Sequence, residues 1–466
     1  MDSYRLQLIG IIRNFAPEFE KRGVFPVTFL LVLMTFRNMA FLMVVATAMV
    51  AKAQTERRMT VDELFQLVES NSKTLQQEKI SVEFAKKGIE AARTARLPEL
   101  TASASVSLNG DVVMMDRDFT NAHGFAAPRW GNSFALEAQQ VVYAGGAIDA
   151  GIELATLKHQ QAQVGEQQRR QQQRFLALGQ YLEIFKLRNR EQVVSQNIEL
   201  TQHLIDDIKA KHEQGMALKN DVTRYELQME TLRLNLKKLQ DQRSILNHQL
   251  CNQLGIDGEI TPDLTTDLSP KGEGNETAWQ NAALTSAPSI QQTEIGQKMA
   301  TEDLKLAKSE MLPKVAVVAA DNFNGPFTYD IPPIDKNFNF WYVGVGVKYP
   351  ISSLFKQNKK VQQARIRTRQ AEQSHAVAAE QLDNQVQQAY TYYQQAYVEL
   401  KTQQKSVELT RQNYQVVNDR YLSQLALITD MIDASNVKLD AELKEVDARI
   451  GIIFAYYRLK YISGTL

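Results

Sequence analysis

The stretch Ala92–Leu100 reads ARTARLPEL and has a counterpart in Ala307–Val315, which reads AKSEMLPKV. Both segments end a charge-rich helical pattern and open an alternating one. A second matched pair follows farther along, with GMALKNDV at Gly215–Val222 and QLALITDM at Gln424–Met431. The chain is therefore predicted to consist of two structural repeats, with a period of slightly over 200 residues that is too long for a solenoid.

The two repeats define the predicted domain organisation. The first repeat spans 54–254, the second spans 278–466, and a polar linker at 255–277 joins them. Each repeat is predicted to contain a helix, a β-hairpin and a long helical hairpin, with the β-hairpins at about 99–143 and about 314–349. The predicted fold class is mainly α, with two β-hairpins and long antiparallel coiled-coil helices.

Residues 1–53 have the pattern of an export signal. The apolar block Met39–Val50 follows Arg37 and ends at Ala51-Lys52-Ala53, which is the A-x-A pattern of a cleaved signal peptide. We expect cleavage after Ala53, with translation starting as late as Met34 or Met39. An uncleaved membrane anchor is the alternative.

Alternation with a period of two predicts the strands. Apolar residues from Leu100 to Leu108 alternate with small polar residues, so that one face of the strand is apolar and the other polar. The segments 109–131 and 321–339 are rich in Gly, Pro, Asn and Asp and are predicted to be loops. The four strands are predicted at Leu100–Leu108, Ser133–Gln139, Lys314–Ala320 and Trp341–Lys348.

The absence of helix breakers predicts very long helices. Neither Gly nor Pro occurs from Ile351 through Ile450. Within this span Leu382, Val386 and Ala389 begin an apolar stripe that steps by four and three, as in a coiled-coil seam. A soluble helical bundle would give a similar stripe. A helix from Gly146 to roughly Ala210 would be on the order of 100 Å long, at about 1.5 Å per residue.

The strands have the length and alternation of outer-membrane barrel strands, but four are too few to close a barrel. The smallest such barrels have about eight strands. An open sheet edge in lipid would leave unpaired backbone groups, each costing several kcal/mol (about 2 or more). We therefore expect identical copies to complete the barrel, with three copies giving twelve strands. Each hairpin begins and ends on the same side of the membrane, so all helices are expected in the periplasm.

The order of these segments resembles the TolC-type outer-membrane efflux family over about residues 60–462. The resemblance rests on the repeated junction at Ala92 and Ala307, the VYAGG segment at Val142–Gly146, and the run from Tyr421 to Ala434. It implies a homotrimer with a β-barrel in the outer membrane and an α-helical barrel in the periplasm. It also implies a periplasmic adaptor and an inner-membrane transporter of RND or ABC type as partners. The implied function is the passive exit duct of a tripartite efflux pump for small molecules; a type I protein secretion channel is the alternative.

Five residues in the turns between the long helices are candidates for a channel aperture. Asp430 and Asp433 are three residues apart and share a helix face, where a symmetric ring of carboxylates would favour cations. The competing explanation is that both acids stabilise the first turn of a helix. Tyr421 is expected either to brace the closed tip by a hydrogen bond or to pack in the seam. Asn220 and Asp221 are the equivalents in the first repeat.

Aromatic residues near the strand ends are candidates for an interfacial belt, with burial in a soluble sheet as the alternative. They are Trp130, Tyr143, Phe323, Phe327, Trp341 and Tyr342.

The remaining composition argues against other functional classes. The 53 basic and 53 acidic side chains balance, so nothing favours nucleic acid as a partner. The single Cys and six scattered His residues predict no metal site, and no cofactor or catalytic motif is present, so no enzyme is predicted. A periplasmic coiled-coil scaffold and a secreted hydrolase with a non-contiguous triad remain as alternatives to a channel.

Overall fold

The computed structural model describes residues 56–263, 274–327, 333–423 and 425–466, and residues 58–466 form one compact unit. The helices are α1 (Val61–Asn71), α2 (Lys73–Arg93), α3 (Ala147–Glu213), α4 (Lys219–Leu254), α5 (Glu276–Ser286), α6 (Pro288–Ser309), α7 (Ser353–Leu422) and α8 (Ile428–Ile462). The strands are β1 (Glu56–Met59), β2 (Glu99–Leu108), β3 (Val112–Met114), β4 (His123–Phe125), β5 (Trp130–Tyr143), β6 (Glu259–Pro262), β7 (Lys314–Gly325) and β8 (Phe338–Lys348). The predicted signal peptide lies outside the described residues.

Two very long helices dominate the chain. Helix α3 has 67 residues and α7 has 70, and each turns back into a helix of about half its length, α4 with 36 residues and α8 with 35. At about 1.5 Å per residue, α3 and α7 are each on the order of 100 Å long. The prediction of very long helices is therefore confirmed. Within the described ranges, no helix combines the length and the apolar character needed to cross a membrane.

The apolar stripe predicted along α7 is the buried side of that helix. Leu382, Val386, Ala389 and Tyr393 are all buried. They pack with Trp279 and Ile290 of α5 and α6, and with Ile452 and Leu459 of α8, in one hydrophobic cluster. The four-and-three spacing thus serves packing among several helices of the same chain.

A second cluster holds the first helices against the middle of α3. Leu64 and Val68 of α1 pack on Leu178 and Tyr181 of α3, and Leu254 at the end of α4 closes the cluster. The Tyr181 hydroxyl donates a hydrogen bond of 2.7 Å to the carbonyl oxygen of Met59. This contact fixes the end of β1, which pairs with β6, to the middle of the long helix.

The start of α3 depends on a pair of glycines. Gly145 and Gly146 both have positive φ angles, +62° and +83°, which favour glycine. A Cβ on Gly145 would lie 2.8 Å from the Cβ of Leu312 and 2.9 Å from the carbonyl oxygen of Ser309. The VYAGG segment therefore lies directly against the segment Ala307–Val315, and only glycine fits at position 145.

Four strands form one antiparallel sheet in the order β2-β5-β7-β8. Strand β5 joins the two β-hairpins, because it pairs with β2 on one side and with β7 on the other. Strands β2 and β8 are the two edges, and within the described residues neither edge has a further partner.

Three segments predicted to lack strands contain them. The predicted loop 109–131 contains the β3–β4 hairpin, which pairs apolar Val112 with Phe125 and turns through two residues with positive φ, Phe119 and Asn121. The predicted loop 321–339 begins with five residues of β7, and their mostly polar composition does not indicate a strand, although the first four have strand partners on both sides. The predicted linker 255–277 contains β6, whose burial depends on its pairing with the distant β1.

Candidate channel surfaces and aperture residues

The two faces of the four-stranded sheet differ sharply in chemistry. Residues directly opposite one another in antiparallel strands share a face, so the register of the strands assigns every residue to one face or the other. One face is mostly apolar, and most of its large apolar side chains are exposed in the single chain. The apolar residues of this face are Leu100, Ala102, Ala104, Val106 and Leu108 on β2, Trp130, Phe134, Leu136 and Ala138 on β5, Val315, Val317, Ala319 and Phe323 on β7, and Trp341, Val343, Val345 and Val347 on β8. Its polar residues are Asn132 and Gln140 on β5, Asp321 on β7 and Asn339 on β8.

The opposite face is polar and has mostly small side chains. Strand β2 contributes Thr101, Ser103 and Ser105 to it, and Ser133 of β5 lies 2.5 Å from Asn324 of β7, oxygen to oxygen. An exposed apolar face backed by a small, polar face is the arrangement of a barrel wall between lipid and a water-filled lumen.

The aromatic residues predicted to form a belt lie on both faces of the sheet and beyond the end of β7. Trp130 and Trp341 lie on the apolar face, and each is 71% exposed. Tyr342 follows Trp341 directly and therefore lies on the polar face, so the register does not bring it together with Trp130 and Trp341. Phe327 lies beyond β7 and stacks on Phe338 with ring centroids 3.9 Å apart.

A β-bulge places Tyr143 on the apolar face. The register of β5 shifts between Val141 and Tyr143, so that Tyr143 lies opposite Val315 instead of continuing the alternation from Gln139. A bulge inserts one residue and thereby reverses which face the following side chains occupy. Phe323 pairs with Phe134 on the same face at a ring separation of 6.3 Å.

The two helical turns lie at the same end of the protein. Ile205 and Ile208 of α3, Tyr225 of α4, and Ile428 and Met431 of α8 pack in one hydrophobic cluster. The side-chain amide of Gln228 on α4 donates a hydrogen bond of 2.6 Å to Asn436 on α8. The predicted aperture candidates of both repeats are therefore at one end of the packed helices.

Asp430 and Asp221 make the same contact in the two turns. The Asp430 carboxylate accepts a hydrogen bond from the backbone N–H of Leu427 at 3.0 Å, and that of Asp221 accepts one from Leu218 at 3.1 Å. Each acid lies in the first turn of its helix and satisfies a backbone donor that has no partner inside the helix. This geometry favours the helix-stabilising explanation for these two acids.

Asp433 and Asn220 are in a different situation. Both side chains are exposed, and within the described part of the chain neither makes a hydrogen bond or an ion pair. Asp433 lies one turn after Asp430 in α8, so no capping contact accounts for it. Of the four polar candidates, these two are the ones without such contacts in the described ranges.

Tyr421 is half-buried near the end of α7. Its ring packs in the cluster that joins the turns, and the ammonium of Lys211 on α3 lies 4.9 Å from the ring centroid. Burial raises the pKa of the Tyr421 hydroxyl, and the nearby Asp221 and Asp207 raise it further. Tyr421 therefore links α7 to α3 through its ring. Lys211 is a residue that sequence reasoning missed, because no spacing rule connects two helices that are about 200 residues apart.

Among the described residues, no three or more His, Cys, Asp or Glu side chains form a cluster that could hold a metal ion. The single cysteine, Cys251, is buried, and burial raises the pKa of its thiol.

Solved structures with this fold include several channels. VceC, an outer membrane protein of Vibrio cholerae, superposes with a TM-score of 0.71 at 15% identity and covers 87% of this chain and 96% of that chain. CusC superposes with a TM-score of 0.73 at 15% identity, covering 87% and 92%. The CmeC outer membrane channel of Campylobacter jejuni gives 0.70 at 12% identity, covering 87% and 85%. No curated protein sequence matches the chain significantly.

The fold is thus the one found in outer-membrane channels of the TolC type. Residues 64–255 and 279–465 match the family model described as outer membrane efflux protein, so the chain belongs to that family. The predicted resemblance is confirmed. The family and these structural neighbours are channel or efflux proteins, which is consistent with a role other than catalysis.

Proposed function

We propose that this chain is the outer-membrane exit channel of a tripartite efflux pump and conducts small molecules passively out of the cell. The observation that supports this proposal best is the four-stranded sheet, which has one mostly apolar face, one polar face and two edge strands without a further partner in the described ranges. Membership of the outer membrane efflux protein family supports the same conclusion.

The open edges require further strands before the sheet can lie in lipid. Edges β2 and β8 belong to the same sheet, so β8 of one copy can pair with β2 of the next and close a ring. Eight or more strands are needed for a small barrel, and three copies supply twelve. The protein functions as a homotrimer in this proposal, with the apolar faces toward lipid and the polar faces toward the lumen.

The helices extend the duct from the barrel into the periplasm. The second strand of each β-hairpin leads into a long helix, β5 into α3 and β8 into α7. Each of these helices is on the order of 100 Å long. The turns with Asp221 and Asp430 then form the end that faces the inner membrane. A periplasmic adaptor binds at the helices, and an inner-membrane transporter of RND or ABC type supplies the energy.

Conductance of purified protein in planar lipid bilayers tests this function. We expect that the protein is released from outer membranes only by detergent. In the bilayer it should give discrete conductance steps, and the total conductance should rise with the number of inserted trimers. A protein that is fully extracted without detergent and gives no conductance would be a periplasmic coiled-coil scaffold instead.

A further inference from the structure

One row of residues across the polar face places a carboxylate and an aromatic ring on either side of an alanine. Glu137 of β5 lies directly opposite Ala320 of β7, and Ala320 lies directly opposite Tyr342 of β8. Neighbouring strands are about 4.8 Å apart, so Glu137 and Tyr342 are separated by about 10 Å at the backbone. Residues in such a row all project from the same side of the sheet.

The alanine makes this row a shallow depression. Ala320 is only 7% exposed, whereas Tyr342 is 45% exposed. Phe340, on the same face of β8, is 57% exposed, and its ring centroid is 6.0 Å from that of Tyr342. Two adjacent aromatic rings therefore line one side of the depression and remain accessible to a ligand.

The carboxylate on the other side is available for a ligand. Glu137 is exposed, and it forms no hydrogen bond or ion pair with any residue in the described ranges. Glu99 lies diagonally across from it on the same face and adds negative charge. The lysines of this face, Lys314 and Lys348, are each six residues farther along their strands, about 20 Å away, which is beyond the Debye length of about 8 Å.

A carboxylate and a π-face about 10 Å apart suit a particular class of ligand. A cation is attracted to an aromatic ring when it lies within about 6 Å of the ring centroid, and to a carboxylate when it lies within hydrogen-bonding or ion-pairing distance. A ligand between the two, above Ala320, can satisfy both conditions if its charge is spread over an organic group. An anion would be repelled by Glu137 and by the negative face of the rings.

We propose that Glu137, Tyr342 and Phe340 form a transit site for organic cations carrying an aromatic group, on the inner wall of the barrel. This site rests on the proposed function, because the polar face must line the lumen for a transported molecule to reach it. It gives the duct a preference for amphiphilic ammonium compounds at the stage where they leave the helical barrel.

The opposite face of the same strands offers matched controls. Asp321 follows Ala320 and lies directly opposite Trp341, which precedes Tyr342. Asp321 and Trp341 therefore form a carboxylate–aromatic pair of similar composition on the apolar face, out of reach of the lumen. Like Glu137→Gln and Tyr342→Leu, the variants Asp321→Asn and Trp341→Leu remove a carboxylate charge and an aromatic ring, but on the opposite face of the sheet.

Block of the pore current by benzyltriethylammonium tests the site. In planar bilayers we expect Glu137→Gln and Tyr342→Leu each to raise the half-blocking concentration about fivefold to thirtyfold. Tyr342→Phe, Asp321→Asn and Trp341→Leu should leave it unchanged, and benzenesulfonate should not block at the same concentrations. Pores that conduct normally but show equal block in Glu137→Gln, Tyr342→Leu and their controls would overturn the site and leave the proposed function intact. Protein that forms no pore would overturn the proposed function, and the site with it.

Discussion

The carboxylate of Asp430 accepts a hydrogen bond from the backbone N–H of Leu427, three residues earlier, at 3.0 Å. Asp433, one turn farther along, makes no such contact in the described part of the chain. The two acids that look equivalent in sequence therefore have different roles. Asp430 stabilises the start of α8, and Asp433 is the better candidate for a carboxylate ring at the aperture.

Replacing these two acids separately should separate the two roles. We expect Asp430→Ala to speed amide hydrogen exchange in the first turn of α8 by about two- to fivefold, because a charge at the helix N-terminus and a backbone partner are both lost. Asp433→Ala should leave that exchange rate unchanged and instead lower the ratio of cation to anion permeability in reconstituted pores. Equal effects of both variants on exchange, with no effect on permeability, would assign both acids to helix stability alone.

The contact between Tyr421 and Lys211 predicts which part of the tyrosine holds the turn at the proposed aperture. The Lys211 ammonium lies over the ring of Tyr421, and this cation–π contact does not involve the tyrosine hydroxyl group. Tyr421→Phe should therefore leave the resting conductance of reconstituted pores unchanged, whereas Tyr421→Leu should increase it. If Tyr421→Phe opens the pore as much as Tyr421→Leu does, the hydroxyl group rather than the ring holds the turn.

Adjacent residues on β2 test the assignment of the two sheet faces. Val106 lies on the apolar face and Ser105 on the polar face. Arginine on the lipid side of a barrel costs about 2–4 kcal/mol near the midplane, so we expect Val106→Arg to reduce the amount of folded protein in the outer membrane. Ser105→Arg places the same side chain in the lumen and should insert normally. The measurement is the amount of protein recovered from the outer-membrane fraction; a reversed order would mean that the faces are assigned the wrong way round.

Two buried tyrosines make a matched pair for stability. Tyr181 donates a hydrogen bond to Met59, whereas the buried Tyr225 hydroxyl has no hydrogen-bond partner among the residues that the structure describes. Burial raises the pKa of both phenols far above the usual value, so both stay neutral in the folded state. We expect Tyr181→Phe to lower the free energy of unfolding by about 1 kcal/mol and Tyr225→Phe to leave it unchanged or raise it.

Chemical denaturation of the detergent-solubilised protein, followed by tryptophan fluorescence, measures both variants under one condition. A larger loss in Tyr225→Phe than in Tyr181→Phe would mean that a partner for the Tyr225 hydroxyl forms in the assembled protein.

The sequence predicts the helical part of the fold better than the sheet. The long helices follow from the absence of Gly and Pro and from the stripe of Leu382, Val386 and Ala389, which are local features of the chain. The polar end of β7 was missed because Asp321 and Asn322 have low strand propensity, and only their two neighbouring strands hold them extended. Such pairing is a tertiary effect that a single segment does not show.

The candidate site was predictable only where it depends on local spacing. The positions of Asp430 and Asp433 near the start of α8, and of Asp221 near the start of α4, follow from their places in the sequence directly after the turns. The contact of Tyr421 with Lys211 and the row of Glu137, Ala320 and Tyr342 depend on the packing and register of distant segments. A bulge such as the one before Tyr143 changes which face a residue occupies, and the residue pattern of β5 does not predict this bulge.

The most direct test of the whole account is the mass of the assembly, because the described part of one chain supplies four strands to the main sheet and a closed barrel needs about eight or more. Native mass spectrometry of protein extracted from outer membranes in detergent measures this mass. We predict a single species with three copies of the mature chain. A monomer that is released from cells without detergent would contradict the account.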